Sequence, residues 1–462
     1  MEQISEELQY APVVNNHSTV AFRKISPQGI STAIALSAAG SVGPTEFIIP
    51  PSVFNPAKSR LNFQVQIPAG TTVAYNWIDA NLSSTISRLV LYDSSTNAVW
   101  LDCSNFEKYA AMIGPIGTSY DDFKTKPTSW QATGFAQALT TSPTGAQAFP
   151  CEDIQKSNSL VNVTPVNAVA AGTLAFNSYE GRRYLLVGSA DASVSYVDVS
   201  IPLSAFKLTA LALNKNLYNP ANLVLQVYWN ATDNYAWYSG SATNPTTATV
   251  ASIGSTAYIN NVALQLANEQ NLSIVSKITQ QVMSSGISIP IAYPTTTRQQ
   301  ISSSSAHSYQ LNLTKGYGQR ILALITAPFN VGETVNARNS HLRGTLTTYN
   351  TFMNNIATKY QAGYDCRLSQ DYFYGNREYL EKSAIQNLGE YAVAEWLHVD
   401  SFFGERPLHT VDQTVVDGYD VGMTASAWQI QANFSAATPA TWITAIIGQK
   451  VLTLSSQGSM VA

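Results

Sequence analysis

The stretch of residues 258–293 changes its hydrophobic period twice, and this constrains the fold more than any other feature of the chain. Apolar and polar residues alternate from 258 to 267, as they do in a half-buried strand. Apolar residues then recur every fourth position from 274 to 282, and Gly286 is placed to end a helix. Alternation resumes over 287–293. The pattern predicts strand, helix and strand, and we interpret the stretch as the seam between two β domains.

Both sides of this seam are predicted to consist mainly of short strands. Alternating segments recur at roughly ten-residue spacing, which is typical of sandwiches and barrels. About eight strands precede the seam, the number found in a jelly roll, and the order of strands, helix and closing strands repeats after it. The predicted strands are 46–50, 61–67, 86–92, 98–103, 183–187, 197–201, 207–213, 222–229, 258–267, 287–293, 309–313, 320–326, a segment near Tyr364, 428–434, 442–447 and 451–454.

These patterns divide the chain into four predicted segments. Residues 1–43 lack a sustained period and are predicted to be an N-terminal arm that orders only against a neighbour. Residues 44–268 are predicted to form the first jelly roll, with a long projecting loop at about 115–180. Residues 269–286 are the predicted connecting helix, and residues 287–462 are the predicted second jelly roll.

Two further short helices are predicted, each part-way along its half of the chain. Ser104 and Glu107 have the spacing of a capping box, and the helix that they open is predicted to end at Gly114 and Pro115. The other helix covers about 376–388, where apolar residues form one stripe before a glycine.

The chain carries few charges. Only 12% of its 462 residues are charged while 45% are hydrophobic, and the net charge is −4. A typical globular domain has about 25% charged residues, so Ser, Thr, Asn and Gln must provide much of the polar surface here. This composition is typical of secreted β proteins, fibres and shells rather than of housekeeping enzymes. Because Lys and Arg are not clustered, direct binding of nucleic acid is not expected.

The cysteines and the N-terminus indicate a compartment. Cys103, Cys151 and Cys366 are too few and too far apart for a disulfide framework. We therefore expect reduced thiols and assembly in a reducing compartment. The first ten residues are acidic and lack the apolar core of a secretory signal, and the longest uncharged run is too polar for a membrane-spanning helix. We expect a soluble protein without its own membrane anchor.

No motif in the sequence predicts catalysis. The phosphate-loop motif is absent, and Gly316 and Gly318 are half of a dinucleotide fingerprint, which we interpret as a hairpin turn. A strand would place His398 and Asp400 on one face, but no third ligand is near, so a structural or solvated pair is favoured over a metal site. We expect no catalytic, cofactor-binding or metal-binding residues, and we predict that the protein is not an enzyme.

Three aromatic residues offer one possible contact surface. Tyr235, Trp237 and Tyr238 lie together in what reads as a polar loop. Tyr and Trp are enriched at subunit interfaces, and aromatic rings also stack on sugars in glycan-binding surfaces. We favour a subunit interface and keep glycan contact as the alternative.

This order of elements resembles the double jelly-roll major capsid proteins of the adenovirus and tailless-phage lineage, including those of virophages and polinton-like viruses. The resemblance covers most of the chain. It is most telling in the second half, at the helix before Gly286 and the strands at 287–293, 309–313, 322–326 and 428–434. It implies an all-β fold of two tandem eight-stranded antiparallel jelly rolls with a few short helices.

The same resemblance implies a function and a set of partners. The chain would be a major capsid protein that assembles as pseudo-hexameric homotrimers and tiles an icosahedral shell. Its partners would be neighbouring capsomers, penton proteins and minor capsid proteins, and an internal membrane is left open as a further partner. It would reside in the virion after assembly in the host cytoplasm or a virus factory. The alternative is a β-rich viral spike or tail-fibre protein that binds a receptor or glycan.

Overall fold

The computed structural model of the chain describes most of both halves. The described residues are 18–29, 33–36, 43–67, 75–79, 85–117, 184–187, 195–231, 236–239, 250–252, 257–330, 346–362, 398–402, 418–421 and 426–462. Most of the predicted loop at 115–180, the predicted strand near Tyr364 and the predicted helix at 376–388 lie outside these ranges.

The part before the seam contains short strands, as predicted. They are β1 Val20–Ile25, β2 Ile34–Leu36, β3 Thr45–Ile49, β4 Val53–Phe54, β5 Arg60–Ile67, β6 Tyr75–Asp79, β7 Ile86–Asp93, β8 Val99–Cys103, β9 Tyr184–Val187, β10 Ser195–Pro202, β11 Leu217–Tyr218, β12 Leu223–Trp229, β13 Ala236–Ser239, β14 Val250–Ser252 and β15 Ala257–Glu269. Strand β5 shows the reason for the pattern, because Leu61, Phe63 and Val65 are buried while Asn62 and Gln64 between them are partly exposed.

These strands form three sheets. Strands β10, β5, β15, β4 and β11 follow one another in the first sheet, where β1 and β2 also pair with β15. The second sheet has the order β3, β12, β7, β8, and the third has the order β14, β13, β6, β9. Every pairing between described strands of the chain is antiparallel, as predicted.

The strands after the seam are longer than predicted. They are β16 Ile287–Leu313, β17 Arg320–Asn330, β18 Leu346–Met353, β19 Ile356–Ala362, β20 His398–Ser401, β21 Tyr419–Asp420, β22 Ser426–Ser455 and β23 Gly458–Val461. Two predicted strands merge in β16 and three merge in β22, because these two strands pair with each other across shifts of register near residues 301–306. All eight belong to one hydrogen-bonded sheet. Asn354 and Asn355, both with positive φ, form the two-residue turn between β18 and β19.

Two α-helices are described. Helix α1, Phe106–Gly117, starts near the predicted position but continues past Gly114 and Pro115, so the predicted end was wrong. The predicted capping role of Ser104 is also wrong, since the Ser104 hydroxyl makes its hydrogen bond with Thr296 instead. Helix α2, Leu272–Ser284, forms at the seam.

The ends of α2 follow from local chemistry. The Asn271 side chain accepts a hydrogen bond from the Ser273 amide at 3.0 Å and caps the N-terminus. Gly286 has a φ of +74°, and its amide donates to the Gln281 carbonyl at 3.0 Å. The predicted stop at Gly286 is confirmed. The division of the chain into domains at these positions stays a prediction.

Two expectations for the first part of the chain were wrong. Residues 207–213 were predicted to be a strand, but Ala210–Ala212 form a 3-10 turn, and a positive φ at Leu208 breaks the extended backbone before it. The predicted arm was expected to order only against a neighbour. Strands β1 and β2 instead pair with β15 of the same chain.

Candidate functional site: the junction between the two halves

The junction is the region where β7, β8 and α1 of the first half meet β16, β17, β22 and β23 of the second half. Strands β17 and β22 carry its core, because residues 321–329 and 441–449 are buried without interruption. Alternate residues belong to different clusters of buried side chains. Ile443, Ala445 and Ile447 belong to a cluster that includes first-half residues, while other residues of β22 belong to a cluster confined to the second half. The two strands are therefore packed on both faces.

Asp93 fastens the C-terminal strand to the first half. It lies at the end of β7, and its Oδ2 accepts hydrogen bonds from the Ser459 amide at 2.9 Å, the Ser459 hydroxyl at 2.8 Å and the Asn219 side chain at 2.9 Å. Its Oδ1 accepts from the Ser95 amide and hydroxyl at 2.8 and 2.7 Å. Burial alone would raise the pKa of Asp93, but these hydrogen bonds lower it to about 2. Asp93 is thus ionised under ordinary conditions and joins both halves.

Neighbouring contacts fix the position of β23. The buried Trp100 ring nitrogen donates to the Ser459 hydroxyl at 2.8 Å, and the Thr96 hydroxyl donates to the Ser459 carbonyl at 2.7 Å. Gly458 has a φ of +110°, and a Cβ there would lie 2.8 Å from the Ser95 hydroxyl oxygen and 2.9 Å from Thr96 Cγ2. A side chain at position 458 would clash with these atoms, so glycine is required there. The turn after β7 therefore packs closely against the start of β23.

The start of α1 makes a second contact across the junction. The Thr296 hydroxyl of β16 donates to the Ser104 carbonyl at 2.5 Å and lies 3.0 Å from the Ser104 hydroxyl. The Lys108 ammonium lies 4.9 Å from the centre of the Phe329 ring of β17. These contacts hold the first turns of α1 against two strands of the second half.

Glu107 is the one buried carboxylate of the described junction with an oxygen that lacks a hydrogen bond. Its side chain is 9% exposed, and Oε2 has no partner among the described residues. Burial raises the pKa of Glu107, and the positive charges of Lys108 and of the exposed Arg298 oppose this shift. A charged Glu107 therefore costs stability at this position.

Cations and aromatic rings line the edge of the junction. Arg88 forms a two-point ion pair with Asp102 at 2.8 and 2.7 Å, and it lies 5.5 Å from the centre of the Tyr228 ring. Within the second half, the Lys450 ammonium lies 3.7 Å from the centre of the Tyr293 ring on the neighbouring strand. Burial raises the pKa of Tyr293 to about 12 and lowers the pKa of Lys450. Tyr293 therefore stays neutral, and each of these contacts stabilises one half of the chain at its side of the junction.

Possible reactive groups at the junction are buried. Cys103 is a free, fully buried thiol, and burial raises its pKa well above the usual range. Within the described ranges, no group of three or more His, Cys, Asp and Glu side chains could hold a metal ion. Among the helices that the structure describes, none is long and apolar enough to cross a membrane.

Two of the three predicted aromatic residues, Trp237 and Tyr238, belong to the third sheet of the first half. Tyr235 is outside the described residues. Trp237 and Tyr238 were predicted to lie in a polar loop, which is wrong, because both belong to β13, between β6 and β14. The backbone hydrogen bonds of two neighbouring strands place them in a sheet. Their role in an interface stays a prediction.

The pair His398 and Asp400 does come together. Both are buried in β20, with His398 Nε2 3.5 Å from Asp400 Oδ1, and Asp400 Oδ2 accepts from the Trp428 ring nitrogen at 2.8 Å. This arrangement agrees with the structural interpretation. Sequence reasoning missed Asp93 and Ser459 as partners, because nothing in the sequence links residues 366 positions apart. The mainly apolar runs in β17 and β22 were the available signal for burial on two faces.

Comparisons with known proteins give a fold and no sequence family. No family model matches the chain, and no curated protein does. Among solved structures, the quasi-atomic model of the PBCV-1 virus capsid matches with a TM-score of 0.53 and 8% identity, over 98% of this chain and 99% of that chain. The crystal structure of PBCV-1 VP54, fitted into a reconstruction of the virophage Sputnik, matches with a TM-score of 0.50 and 9% identity over the same shares.

This likeness shows the class of fold. The chain is all-β and has the double jelly-roll architecture that its sequence predicted. Since the match extends over nearly the whole of both chains, it includes both halves and the junction between them. The number of strands in each roll stays a prediction.

Proposed function

We propose that this chain is a major capsid protein. The observation that carries the proposal is the likeness to the PBCV-1 capsid chain over nearly the full length of both chains. The junction supports it, because a shell subunit must transmit load, and the two halves share buried strands and a fastened C-terminus. The contacts described at the junction are those of packing within one chain. We therefore propose a structural role without catalysis.

We further propose that three copies form a pseudo-hexameric block. Each copy would contribute two jelly rolls, and the blocks would tile an icosahedral shell beside penton and minor capsid proteins. The low charge of the chain supports repeated self-association, and described residues leave large apolar side chains exposed at Ile356 and Met460. We place the protein in the virion after assembly in the host cytoplasm or a virus factory, and an internal membrane beneath the shell is compatible with this role.

Sedimentation and electron microscopy of the expressed chain test this proposal. We expect a compact particle of three times the chain mass of 49.9 kDa, which forms hexagonal sheets or closed shells on concentration. Replacement of Trp237 and Tyr238 by alanine should weaken the trimer by about tenfold or more if β13 lies at the interface. A matched double alanine variant at Tyr92 and Tyr218 is the control.

Two outcomes would contradict the proposal. A chain that stays monomeric at high concentration would remove the capsid role. A slender particle that binds a glycan array through Trp237 and Tyr238 would indicate a spike or tail fibre instead.

A further inference from the structure

Helix α2 leaves apolar side chains uncovered. Val282 is its one buried residue, whereas Leu272 is 79% exposed and Met283 is 48% exposed. Ile274 and Ile278 are only partly buried. Leu272 is the most exposed large hydrophobic side chain among the described residues. Exposure of this kind on an amphipathic helix indicates a contact that the described residues do not supply.

Ser18, the first described residue, lies beside the start of α2. Glu269, at the end of β15, accepts hydrogen bonds from the Thr19 amide at 2.8 Å and from the Ser18 hydroxyl. The same carboxylate accepts from the Asn271 amide at 3.0 Å, and the Gln270 amide donates to the Thr19 carbonyl at 2.7 Å. One buried side chain therefore fixes both the N-terminal entry of the chain and the first turn of α2.

The length of the preceding segment is sufficient to cover the helix. Residues 1–17 precede Ser18, and 17 extended residues span up to about 60 Å. Helix α2 has 13 residues, which corresponds to about 20 Å. A segment that starts at the N-terminal end of α2 can therefore reach its other end and still bend.

The chemistry of the two surfaces is complementary. Residues 1–17 contain no Lys or Arg but carry three acidic side chains and several apolar ones, namely Glu2, Ile4, Glu6, Glu7, Leu8, Tyr10, Val13 and Val14. Helix α2 has one charged side chain, the exposed Lys277. The adjoining strand β1 exposes Arg23, Lys24 and Phe22, which is 59% exposed. The acidic, apolar composition of the segment thus complements the basic, apolar surface of α2 and β1.

We propose that residues 1–17 bind along the exposed face of α2 of the same chain. Leu8 and the valines then cover Leu272 and Met283, and the glutamates lie near Lys277 and β1. The same chain is favoured because β1, β2, Ser18 and Thr19 are all bound to β15 of their own chain. Tethering at Ser18 also gives the segment a high effective concentration at α2. This contact does not depend on the proposed capsid role.

Hydrogen exchange of the full chain tests the contact. The double variant Ile4→Asp/Leu8→Asp should exchange the amides of residues 272–284 roughly tenfold faster than the unaltered chain, since the covering segment is lost. The matched control Gln3→Glu/Gln9→Glu adds the same charge and keeps the apolar residues, so its exchange should stay unchanged. Equal exchange in all three proteins would overturn the proposal.

A cysteine pair identifies which copy supplies the segment. In Val13→Cys/Leu272→Cys, oxidation should give a disulfide within one chain, mapped by mass spectrometry, and no linked dimer on a non-reducing gel. The single variant Val13→Cys controls for linkage to the native cysteines. A disulfide between two chains would overturn the same-chain contact, and failure to form any disulfide between positions 13 and 272 would overturn the docking itself. Sedimentation of the same samples reports the capsid-type trimer separately.

Discussion

At the scale of single residues, Asp93 and Glu107 show two outcomes of burying a carboxylate. Asp93 is surrounded by donors, and its pKa is lowered to about 2, so its charge is stabilised in the fold. Glu107 has an oxygen without a hydrogen bond, and burial raises its pKa. Charge on Asp93 therefore holds the junction together, while charge on Glu107 opposes it.

Glu107→Gln should stabilise the protein at neutral pH. Because the pKa of Glu107 is raised in the folded protein, its contribution to the free energy of unfolding is most favourable below the pKa of an unfolded glutamate, about 4.3. This contribution is lost as pH rises through the pKa of the folded state. A neutral side chain avoids this loss. We expect a gain of about 1–2 kcal/mol at pH 7.5, measured as a higher melting temperature, and a smaller gain near pH 4.

The control for this change is Glu46→Gln, which removes a partly exposed carboxylate of strand β3. It should show no such gain at neutral pH. If the gain from Glu107→Gln were the same at every pH, the charge of Glu107 would not be its cause.

At the scale of elements, α2 is held by fewer buried residues than its period suggests. The sequence predicted a buried stripe at Ile274, Ile278 and Val282, but only Val282 is buried by the described residues. The spacing of apolar residues identifies which of them share a face of the helix, whereas their burial depends on which other elements cover that face. Strands β4, β11, β15 and β22 contact α2, but of the stripe only Val282 is buried by them and the other described residues.

Val282→Asp should therefore be more damaging than Ile278→Asp. Val282 is buried beside the C-terminal end of α2, so a carboxylate there would be desolvated, and we expect a loss of about 3 kcal/mol or more in the free energy of unfolding. Ile278→Asp should cost about 1 kcal/mol or less. Chemical denaturation of both variants measures the difference, and Lys277→Asp is a neighbouring surface control. Equal losses at 278 and 282 would mean that the stripe is buried evenly.

At the scale of the whole molecule, the two halves are joined by a shared core and by the C-terminal strand. Uninterrupted burial of 321–329 and 441–449 makes β17 and β22 part of both the shared core and the second core. The contacts of Asp93 and Trp100 with Ser459 then fasten β23 to the first half. The halves should accordingly unfold together.

Gly458→Ala should weaken this coupling. The new Cβ would approach Ser95 and Thr96 within 2.8 and 2.9 Å, and alanine disfavours the φ of +110°. We expect a loss of about 2–4 kcal/mol and a broader or two-step melting transition by calorimetry. Gly29→Ala, also at positive φ but without close neighbours, is the control for backbone strain alone. If Gly458→Ala lost no more stability than this control, the close approach of β23 would not couple the halves.

Local chemistry alone determined much of this protein. Alternation in β5, the four-residue period of α2 and the stop at Gly286 depend on neighbours in sequence, and the change of period at the seam predicted strand, helix and strand. Together with the sparse charge, these patterns gave the all-β class and the double jelly-roll architecture. Errors occurred at Pro115, where α1 continues, and at residues 207–213, where a positive φ at Leu208 and a 3-10 turn replace the predicted strand.

Only the tertiary structure decided how the two halves meet. The junction joins Asp93 to Ser459, Ser104 to Thr296 and Lys108 to Phe329, and each pair is separated by nearly two hundred residues or more. Periodicity reports which side of an element is apolar but not which distant element covers it, because that choice depends on complementary shape and on the hydrogen bonds available in the folded chain. For the same reason the sequence identified α2 at the seam, whereas the structure showed that Val282 alone is buried there.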